Sequence, residues 1–326
     1  MPFFTIAIVT RNYGHFIEQA IRSCLVSADQ DVEILVIDDG SNDDTALIVQ
    51  SIREHHPNGK GLRYYNVGQI GLTAARNESL RRARGTYLVC LDADDVLMPD
   101  TLARYRKILT EQPDVDVLYG QVIATFPDLV PAGRMEVDAV PVYPHTVVRL
   151  LSQNPLPHPG TAGRIQLMRA VGGYRVDLNR GEDYAMWLDL ATHRARFRYL
   201  DTCVAMYRRH DANETVHYSP AWDLPVLRAM LERYAMRDLL PSLDWQGNEA
   251  AQRQAAELMA QRLLRAGASD EFVRACLAPH LQRASHGGDS GAKVWPSLSQ
   301  AEAHDRDAGP APGGWLVDVT DFNTAT

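Results

Sequence analysis

The chain has 326 residues, of which 45% are hydrophobic, and its formal net charge is -8 at pH 7. This length and composition are sufficient for a large buried core, so we expect one large domain or one domain with an appendage. The excess of acidic side chains disfavours contact with a nucleic-acid backbone, because carboxylates and phosphates repel each other. We therefore expect no nucleic-acid partner.

Cysteine usage and hydropathy indicate the compartment. The four cysteines are far apart, form no C-x-x-C pair and lie mostly in apolar runs, as expected of free thiols in a reducing environment. No segment approaches the roughly 20 apolar residues of a membrane span. Residues 1–9 lack a basic leader and a cleavage site, and they predict a first strand rather than a signal peptide. We predict a cytoplasmic protein.

Short apolar runs alternate with segments of helical period in the first part of the chain. Strands are predicted at residues 3–9, 33–37, 62–65 and 86–91, and helices at residues 15–28, 44–55 and 71–84, with a further helix after Pro99. Asp43 or Asp44 is expected to cap the second helix, and Gly85 to end the third. The alternation predicts an α/β fold, with a Rossmann-like, mostly parallel sheet and helices on both faces.

The rest of the chain has a different character. Residues 114–208 predict short strands mixed with two helices, and residues 221–282 predict helices only. Residues 285–326 are rich in Gly, Pro, Ser and Asp, which predicts a mobile tail. The helical region is nearly neutral, so we expect it to pack on the core or to form a homodimer. Peripheral contact with the inner face of a membrane is the alternative.

The sequence Cys90-Leu91-Asp92-Ala93-Asp94-Asp95 ends the fourth predicted strand. Three carboxylates in four residues beside a buried strand are costly unless a cation neutralises them. A divalent metal held between the protein and a phosphate does this, because hard cations bind oxygen ligands. The alternative is an acidic turn on the surface.

Other polar clusters follow neighbouring strands. Thr10-Arg11-Asn12 and Asp38-Asp39-Gly40-Ser41 come directly after the first and second predicted strands. Ligands of parallel sheets bind at the carboxyl ends of the strands, so these clusters are expected to meet the Asp92 segment there. The carboxylates of Asp38 and Asp39 can accept hydrogen bonds from a nucleobase or a ribose. The alternative is a turn that caps the next helix.

Four further residues are candidates with ordinary structural alternatives. Arg76 follows a glycine-rich loop suited to phosphate oxygens, but it is also compatible with a helix surface. Glu182 and Asp183 can supply a general base, or can stabilise a helix N-terminus through its dipole. His210 follows an apolar run and can contact a metal or a phosphate, or be plain polar surface.

In this order, the motifs resemble the family 2 glycosyltransferases of the GT-A fold. The matching segments cover about residues 3–212 and are Ile6-Ala7-Ile8-Val9-Thr10-Arg11-Asn12-Tyr13, Val36-Ile37-Asp38-Asp39-Gly40-Ser41-Asn42-Asp43-Asp44-Thr45, Ala75-Arg76-Asn77 with Ala83-Arg84-Gly85, Leu91-Asp92-Ala93-Asp94-Asp95, Gly172-Gly173-Tyr174, Glu182-Asp183 with Trp187, and Tyr207-Arg208-Arg209-His210.

The resemblance implies an inverting transferase that uses a nucleotide-diphosphate sugar, with UDP-sugars common in the family, and Mn2+ or Mg2+. It also implies roles for particular residues. Asp183 is the expected base with Glu182 beside it; the expected nucleotide contacts are Thr10, Asn12, Asp38, Asp39, Arg76 and Asp92; the expected metal ligands are Asp94, Asp95 and His210; His158 and Trp187 are expected on the acceptor side.

The implied organisation has three parts. Residues 1–212 form the GT-A nucleotide-sugar-binding and catalytic domain, with the acceptor side at about residues 114–212. Residues 213–284 form the helical region and residues 285–326 the tail. The acceptor is a glycan, a lipid-linked molecule or a small molecule.

Three other functions compete with this one. A phosphatase with a D-x-D-G-T pattern is disfavoured, because adjacent carboxylates alternate across a strand. A sugar-1-phosphate nucleotidyltransferase would carry a glycine- and arginine-rich loop after the first strand, which Thr10-Arg11-Asn12-Tyr13-Gly14 does not resemble. The non-enzyme alternative is a sugar-nucleotide-binding protein without turnover.

Overall fold

The computed structural model describes residues 2–27, 31–211, 213, 219–245 and 249–282. The strands are β1 (Phe4–Thr10), β2 (Val32–Asp38), β3 (Leu62–Asn66), β4 (Tyr87–Asp92), β5 (Val96–Leu97), β6 (Val117–Thr125), β7 (Pro131–Arg134), β8 (Ala162–Arg164) and β9 (Phe197–Arg208). The helices are α1 (Gly14–Ser27), α2 (Thr45–His55), α3 (Leu72–Arg82), α4 (Thr101–Glu111), α5 (His145–Ser152), α6 (Ile165–Ala170), α7 (Glu182–Thr192), α8 (Asp223–Arg233), α9 (Met236–Leu239), α10 (Glu249–Arg265) and α11 (Asp270–Gln282).

The strands form one nine-stranded sheet in the order β3-β2-β1-β4-β8-β6-β9-β5, with β7 paired to β6. Strands β1, β2, β3 and β4 are parallel neighbours. Because β8 is antiparallel to both β4 and β6, strands β6 and β9 run in the same direction as β4. Their carboxyl ends therefore share one edge of the sheet, and the expected mostly parallel α/β architecture is confirmed.

Alternate residues of the central strands enter two different cores. In β1, Ile6 and Ile8 pack with α1, α2 and α4, whereas Ala7 belongs to the core on the other face. That second core contains apolar residues of α3 and of α5 to α11. Coverage on both faces explains why these strands are almost continuously apolar.

The C-terminal helices pack on the body, as expected. The side chain of Asp189 on α7 is fully buried and binds Arg233 of α8 (3.2 Å) and the hydroxyl of Tyr234 (2.8 Å). Arg262 of α10 donates to the carbonyl of Leu151 at the end of α5 (2.6 Å). The predicted tail lies outside the described residues. Every helix that the structure describes is too short or too polar to cross a bilayer.

Two local expectations were wrong. Helix α3 ends at Arg82 with Ala83 as its C-cap, so Gly85 does not cap it. Gly85 instead lets the chain approach β1, because a Cβ atom there would lie 2.6 Å from the backbone nitrogen of Thr5. Residues 114–208 contain three helices, α5, α6 and α7, rather than two.

Candidate active site

Strand register brings the predicted residues of the first four strands together. Thr10 pairs with Asp38 across β1 and β2, and Val9 pairs with Asp92 across β1 and β4. The hydroxyl of Thr10 is buried and has no hydrogen-bond partner among the described residues. An unpaired buried hydroxyl at a strand end is suited to contact a ligand.

Asp38 and Asp39 are buried and accept hydrogen bonds from the protein itself. The carboxylate of Asp38 accepts from the hydroxyl of Tyr64 (2.5 Å) and from the backbone N–H of Ser41 (2.7 Å). The carboxylate of Asp39 accepts from the backbone N–H groups of Ile70 (2.6 Å) and Gly71 (2.9 Å). These two side chains therefore hold together the loops after β2 and β3.

Asn12 and Asp43 fasten the loop after β1. The backbone N–H of Asn12 donates to the Ser41 hydroxyl (2.9 Å), and its side-chain oxygen accepts from the N–H of Asn42 (2.9 Å). Asp43 accepts from the N–H of Gly14 (2.8 Å), so the carboxylate expected to cap α2 also caps α1. Asn12 has a positive φ of 58°, which asparagine tolerates well.

Asp92, at the end of β4, is ionised between two cationic side chains. Its Oδ1 lies 3.0 Å from Nη2 of Arg76, and its Oδ2 lies 3.2 Å from Nδ1 of His158. Burial opposes ionisation of Asp92, but the charges of Arg76 and His158 outweigh it and hold its pKa below the usual range. His158 thus lies beside the strand ends, and its expected place on the acceptor side stays a prediction.

Asp94 and Asp95 lie in the turn that follows. Oδ2 of Asp94 lies 3.0 Å from Nε2 of His210 and 3.3 Å from the side-chain nitrogen of Asn213. Asp95 is fully buried; its Oδ1 accepts from the backbone N–H of Arg208 (2.9 Å), while its Oδ2 has no partner among the described residues. Burial, followed by the charges of Asp94 and Asp92, raises the pKa of Asp95 well above its usual value.

The arrangement of these acids fits a divalent cation. A buried carboxylate oxygen without a partner, beside a second carboxylate, is the kind of hard oxygen donor that Mn2+ and Mg2+ select. In the described part of the chain, no three His, Cys, Asp or Glu side chains converge on one point. Protein ligands alone therefore do not complete a coordination sphere, and a nucleotide diphosphate and water would supply the rest. The metal site stays a prediction.

Arg208 is an important residue that the sequence interpretation did not select. It is 1% exposed, and its guanidinium donates to the carbonyl of Asp94 (2.6 Å), to the side chain of Gln19 (2.6 Å) and to the carbonyl of Pro127. It joins the acidic turn to α1 and to the β6–β7 connection. The only sequence signal was the Tyr207-Arg208-Arg209-His210 motif. It contains two adjacent arginines, and the sequence does not indicate which of them is buried.

Glu182 and Asp183 begin α7 and have different surroundings. Glu182 is buried, and its Oε1 lies 2.6 Å from Nη1 of Arg76. Burial raises the pKa of Glu182, and Arg76 opposes that shift. Asp183 is partly exposed and accepts from the N–H of Tyr184 (2.7 Å). Of the two carboxylates, Asp183 is the one with access to solvent and to a second substrate.

Trp187 has no exposed surface and lies in the core formed by α7 and the C-terminal helices. Burial prevents direct contact between this indole and an acceptor that arrives from solvent. We therefore do not include Trp187 in the proposed acceptor site. Its indole N–H is buried and has no hydrogen-bond partner among the described residues.

The mostly parallel sheet, with helices on both faces and an acidic turn at the carboxyl end of β4, has the architecture of the GT-A fold. The chain belongs to glycosyl transferase family 2, whose family model matches residues 5–170. The chondroitin synthase of Escherichia coli is 35% identical over 114 residues, which are 34% of this chain and 16% of that enzyme. An uncharacterized glycosyltransferase of Haemophilus influenzae is 34% identical over 104 residues, 32% of this chain and 41% of that protein.

Longer matches agree with these. A PGL/p-HBAD biosynthesis glycosyltransferase of Mycobacterium bovis is 28% identical over 209 residues, 63% of this chain and 77% of that protein. The chain covers 16% and 41% of the length of the first two relatives, which is less than half of each.

The crystal structure of S. aureus TarS 1-349 in complex with UDP-GlcNAc superposes with a TM-score of 0.61 at 17% identity, covering 86% of this chain and 81% of that one. The mannosyltransferase PcManGT from Pyrobaculum calidifontis, in complex with GDP-Man and Mn2+, gives 0.53 at 19% identity, covering 88% and 76%.

Proposed function

We propose that this enzyme is an inverting, metal-dependent glycosyltransferase that moves a sugar from a nucleotide-diphosphate sugar to an acceptor hydroxyl. The observation that carries the proposal is an acidic turn at the carboxyl edge of the sheet, in which a buried oxygen of Asp95 has no partner among the described residues, together with the separate, partly exposed carboxylate of Asp183. The complexes named for the similar structures, with UDP-GlcNAc and with GDP-Man, make a nucleotide sugar the natural donor, and we favour UDP.

The chemistry needs one displacement. Asp183 accepts the proton of the acceptor hydroxyl as its oxygen bonds to the anomeric carbon. The bond from that carbon to the diphosphate oxygen breaks, and the nucleoside diphosphate leaves with the electron pair. Attack opposite the leaving group inverts the anomeric centre, so no covalent enzyme intermediate is required.

Residues at the strand ends bind and orient the donor. The unpaired hydroxyl of Thr10 and the loops held by Asn12, Asp38 and Asp39 form the nucleotide side, with Asp92 beside the ribose. Asp94 and Asp95 would hold the cation, with His210 next to Asp94. The chemistry that Mn2+ or Mg2+ would supply there is neutralisation of the charge that develops on the leaving diphosphate.

The acceptor and the wider setting belong to the same proposal. A glycan, a lipid-linked molecule or a small molecule must present its hydroxyl to Asp183. We propose a cytoplasmic enzyme whose catalytic part is residues 1–212, with His158 close to the reacting groups through Asp92. Homodimer formation or peripheral membrane contact would use the C-terminal helices.

The first experiment is a thermal-shift screen of sugar nucleotides with Mn2+ or EDTA. A donor that binds only the folded state raises the midpoint of unfolding by mass action. The donor selected in this way is then incubated with Mn2+, and the products are identified. Nucleoside diphosphate and a free sugar of inverted configuration support the proposal, whereas pyrophosphate indicates a nucleotidyltransferase. Tight binding without any turnover indicates the binding protein.

Asp183→Asn tests the base directly. We expect it to lower kcat by about 10²–10⁴ while donor affinity is kept, because the amide cannot accept the proton. Asp177→Asn is a matched control, since Asp177 is exposed in the preceding loop and pairs only with Arg175 among the contacts described (3.0 Å). Turnover of Asp183→Asn close to that of the wild type would refute this assignment.

A further inference from the structure

One face of α3 is fastened to the segment that leads into α7. Thr73, Arg76 and Asn77 are spaced i, i+3 and i+4, so they share that face. The Thr73 hydroxyl donates to the carbonyl of Leu178 (3.3 Å). Asn77 makes two hydrogen bonds to the backbone of Tyr174, accepting from its N–H (2.8 Å) and donating to its carbonyl (2.7 Å).

The preceding glycine makes this approach sterically feasible. Gly173 has a φ of 77°, and a Cβ atom there would lie 2.5 Å from the side-chain oxygen of Asn77. A side chain at this position would be strained by the positive φ and would displace the Asn77 side chain from its hydrogen bonds to Tyr174. The Ala75-Arg76-Asn77 and Gly172-Gly173-Tyr174 motifs, distant in sequence, are two halves of one contact.

Arg76 is the charged centre of that contact. One arm of its guanidinium lies 3.0 Å from Asp92 at the end of β4, and the other lies 2.6 Å from Glu182 at the start of α7. The side chains of Arg76 and Glu182 are only 8% and 6% exposed. Ion pairs shielded from water in this way hold their partners in a defined geometry.

We propose that Arg76 and Glu182 are a positioning pair that holds the first turn of α7 against the end of β4. The pair sets the place of Asp183, the next residue, relative to the donor. The inference rests on the proposed function, in which Asp183 is the base. It changes the expected role of Glu182, because a carboxylate paired with a guanidinium in the interior is not available to an acceptor hydroxyl. Arg76 likewise acts through its two carboxylates.

The effect of this positioning on the reaction rate can be measured. A displacement of about 1 Å between reacting groups can lower a rate by about 10²-fold. Loss of the pair should therefore lower kcat far more than it lowers donor affinity. A residue that acts only through Asp183 should also have no effect once Asp183 can no longer accept a proton.

Hydrogen exchange on the free protein tests the pair without reference to catalysis. Arg76→Lys and Glu182→Gln should speed amide exchange in peptides that cover residues 174–188 and leave α10 unchanged. Glu232→Gln is the control, because it disrupts an Arg–Glu pair whose side chains are each 58% exposed. Wild-type exchange across residues 174–188 in both variants would overturn the proposal, whether or not the protein turns over a sugar nucleotide.

Kinetics with Mn2+ and the sugar nucleotide selected by thermal shift test the role itself. Glu182→Gln should lower kcat by about 10–100-fold and change the donor Kd by less than about threefold. In the Asp183→Asn background it should cause no further loss, and Arg76→Lys should be faster than Arg76→Gln. The proposal would be overturned if the losses of kcat multiplied in the double variant, or if Glu182→Gln lost more kcat than Asp183→Asn. Either result would assign Glu182 its own catalytic contact.

The two proposals fail in different ways. If the wild type neither binds nor hydrolyses any sugar nucleotide, the proposed function fails, while hydrogen exchange still decides on the pair. If turnover is present and Glu182→Gln matches the wild type in both exchange and kcat, only the pair fails.

Discussion

Two acidic clusters lie at neighbouring strand ends and have different hydrogen-bond and ion-pair partners. The Asp38 cluster (Asp38, Asp39 and Asp43) receives hydrogen bonds from a tyrosine hydroxyl and from the backbone of three loops. The Asp92 cluster (Asp92, Asp94 and Asp95) has Arg76 and two histidines beside it, but one buried oxygen of Asp95 has no partner within the part of the chain that the structure describes. The first cluster is complete within the protein, whereas we propose that a cation completes the second.

The difference shows that acidic sequence motifs do not specify their own role. Both clusters follow buried parallel strands, and both contain adjacent aspartates. Neutral donors satisfy the carboxylates of the first, since a carboxylate that accepts several hydrogen bonds is stable without a counter-ion. Burial, followed by the like charges of Asp94 and Asp92, raises the pKa of Asp95, and a bound cation would relieve that repulsion. Four predictions test this contrast.

The largest effect on stability is expected at Asp38. Asp38→Ala leaves the Tyr64 hydroxyl and the Ser41 N–H without their acceptor, which should lower the free energy of unfolding by about 3 kcal/mol. Tyr64→Phe removes only one of the two donors and should cost about 1 kcal/mol. Urea denaturation of the three proteins measures both values. A cost below that of Tyr64→Phe would show that the cluster is not complete.

Asp94 should matter for binding instead. Asp94→Ala is expected to weaken nucleotide binding in Mn2+ by at least about tenfold, or about 1.4 kcal/mol, and to make it insensitive to the metal. Calorimetric titration with UDP, in Mn2+ and in EDTA, measures this. Asp44→Ala is the control, because Asp44 is exposed and its side chain makes no capping hydrogen bond. Equal affinities with and without metal in the wild type would argue against the metal role.

Asp95→Asn tests whether the Asp92 cluster is stable without a cation. The amide oxygen can keep the hydrogen bond from the Arg208 N–H, while one buried negative charge next to Asp94 is removed. In EDTA we expect the free energy of unfolding to stay equal or to rise by up to about 1 kcal/mol, because repulsion is relieved. Chemical denaturation in EDTA provides the value. A clear loss of stability would mean that the second cluster is also complete without a cation.

The smallest effect is expected at Asp43 and depends on pH. Burial opposes its ionisation, but hydrogen bonds from the Thr45 hydroxyl and from the N–H groups of Gly14 and Thr45 lower its pKa. A lowered pKa stabilises the fold above the unfolded-state pKa of about 3.9, and this contribution disappears as the pH falls through the folded-state value. Asp43→Asn should therefore be less stable than the wild type at pH 7 and equal to it at about pH 2. A difference in stability that is the same at both pH values would contradict this.

Sequence reasoning predicted the elements of the first half well, because continuous apolar runs and helical periods depend on local order. The four parallel strands were found within one or two residues of their observed bounds. Gly85 was misassigned, because its role is a close approach to Thr5, which is distant along the chain. The same limit applies to the site. Arg76 was recognised as important, but its two carboxylate partners lie 16 and 106 residues away.

The sequence by itself determined the family, the alternation of strands and helices, and the carboxyl-end placement of Thr10, Asp38 and Asp92. These follow from residue order and from the periods of the elements. Only the tertiary structure decided which acids are satisfied, which arginine lies beneath the acidic turn and that Trp187 is buried. Those properties depend on donors and apolar surfaces brought from remote segments, and the charge state of a carboxylate is set by its neighbours in space.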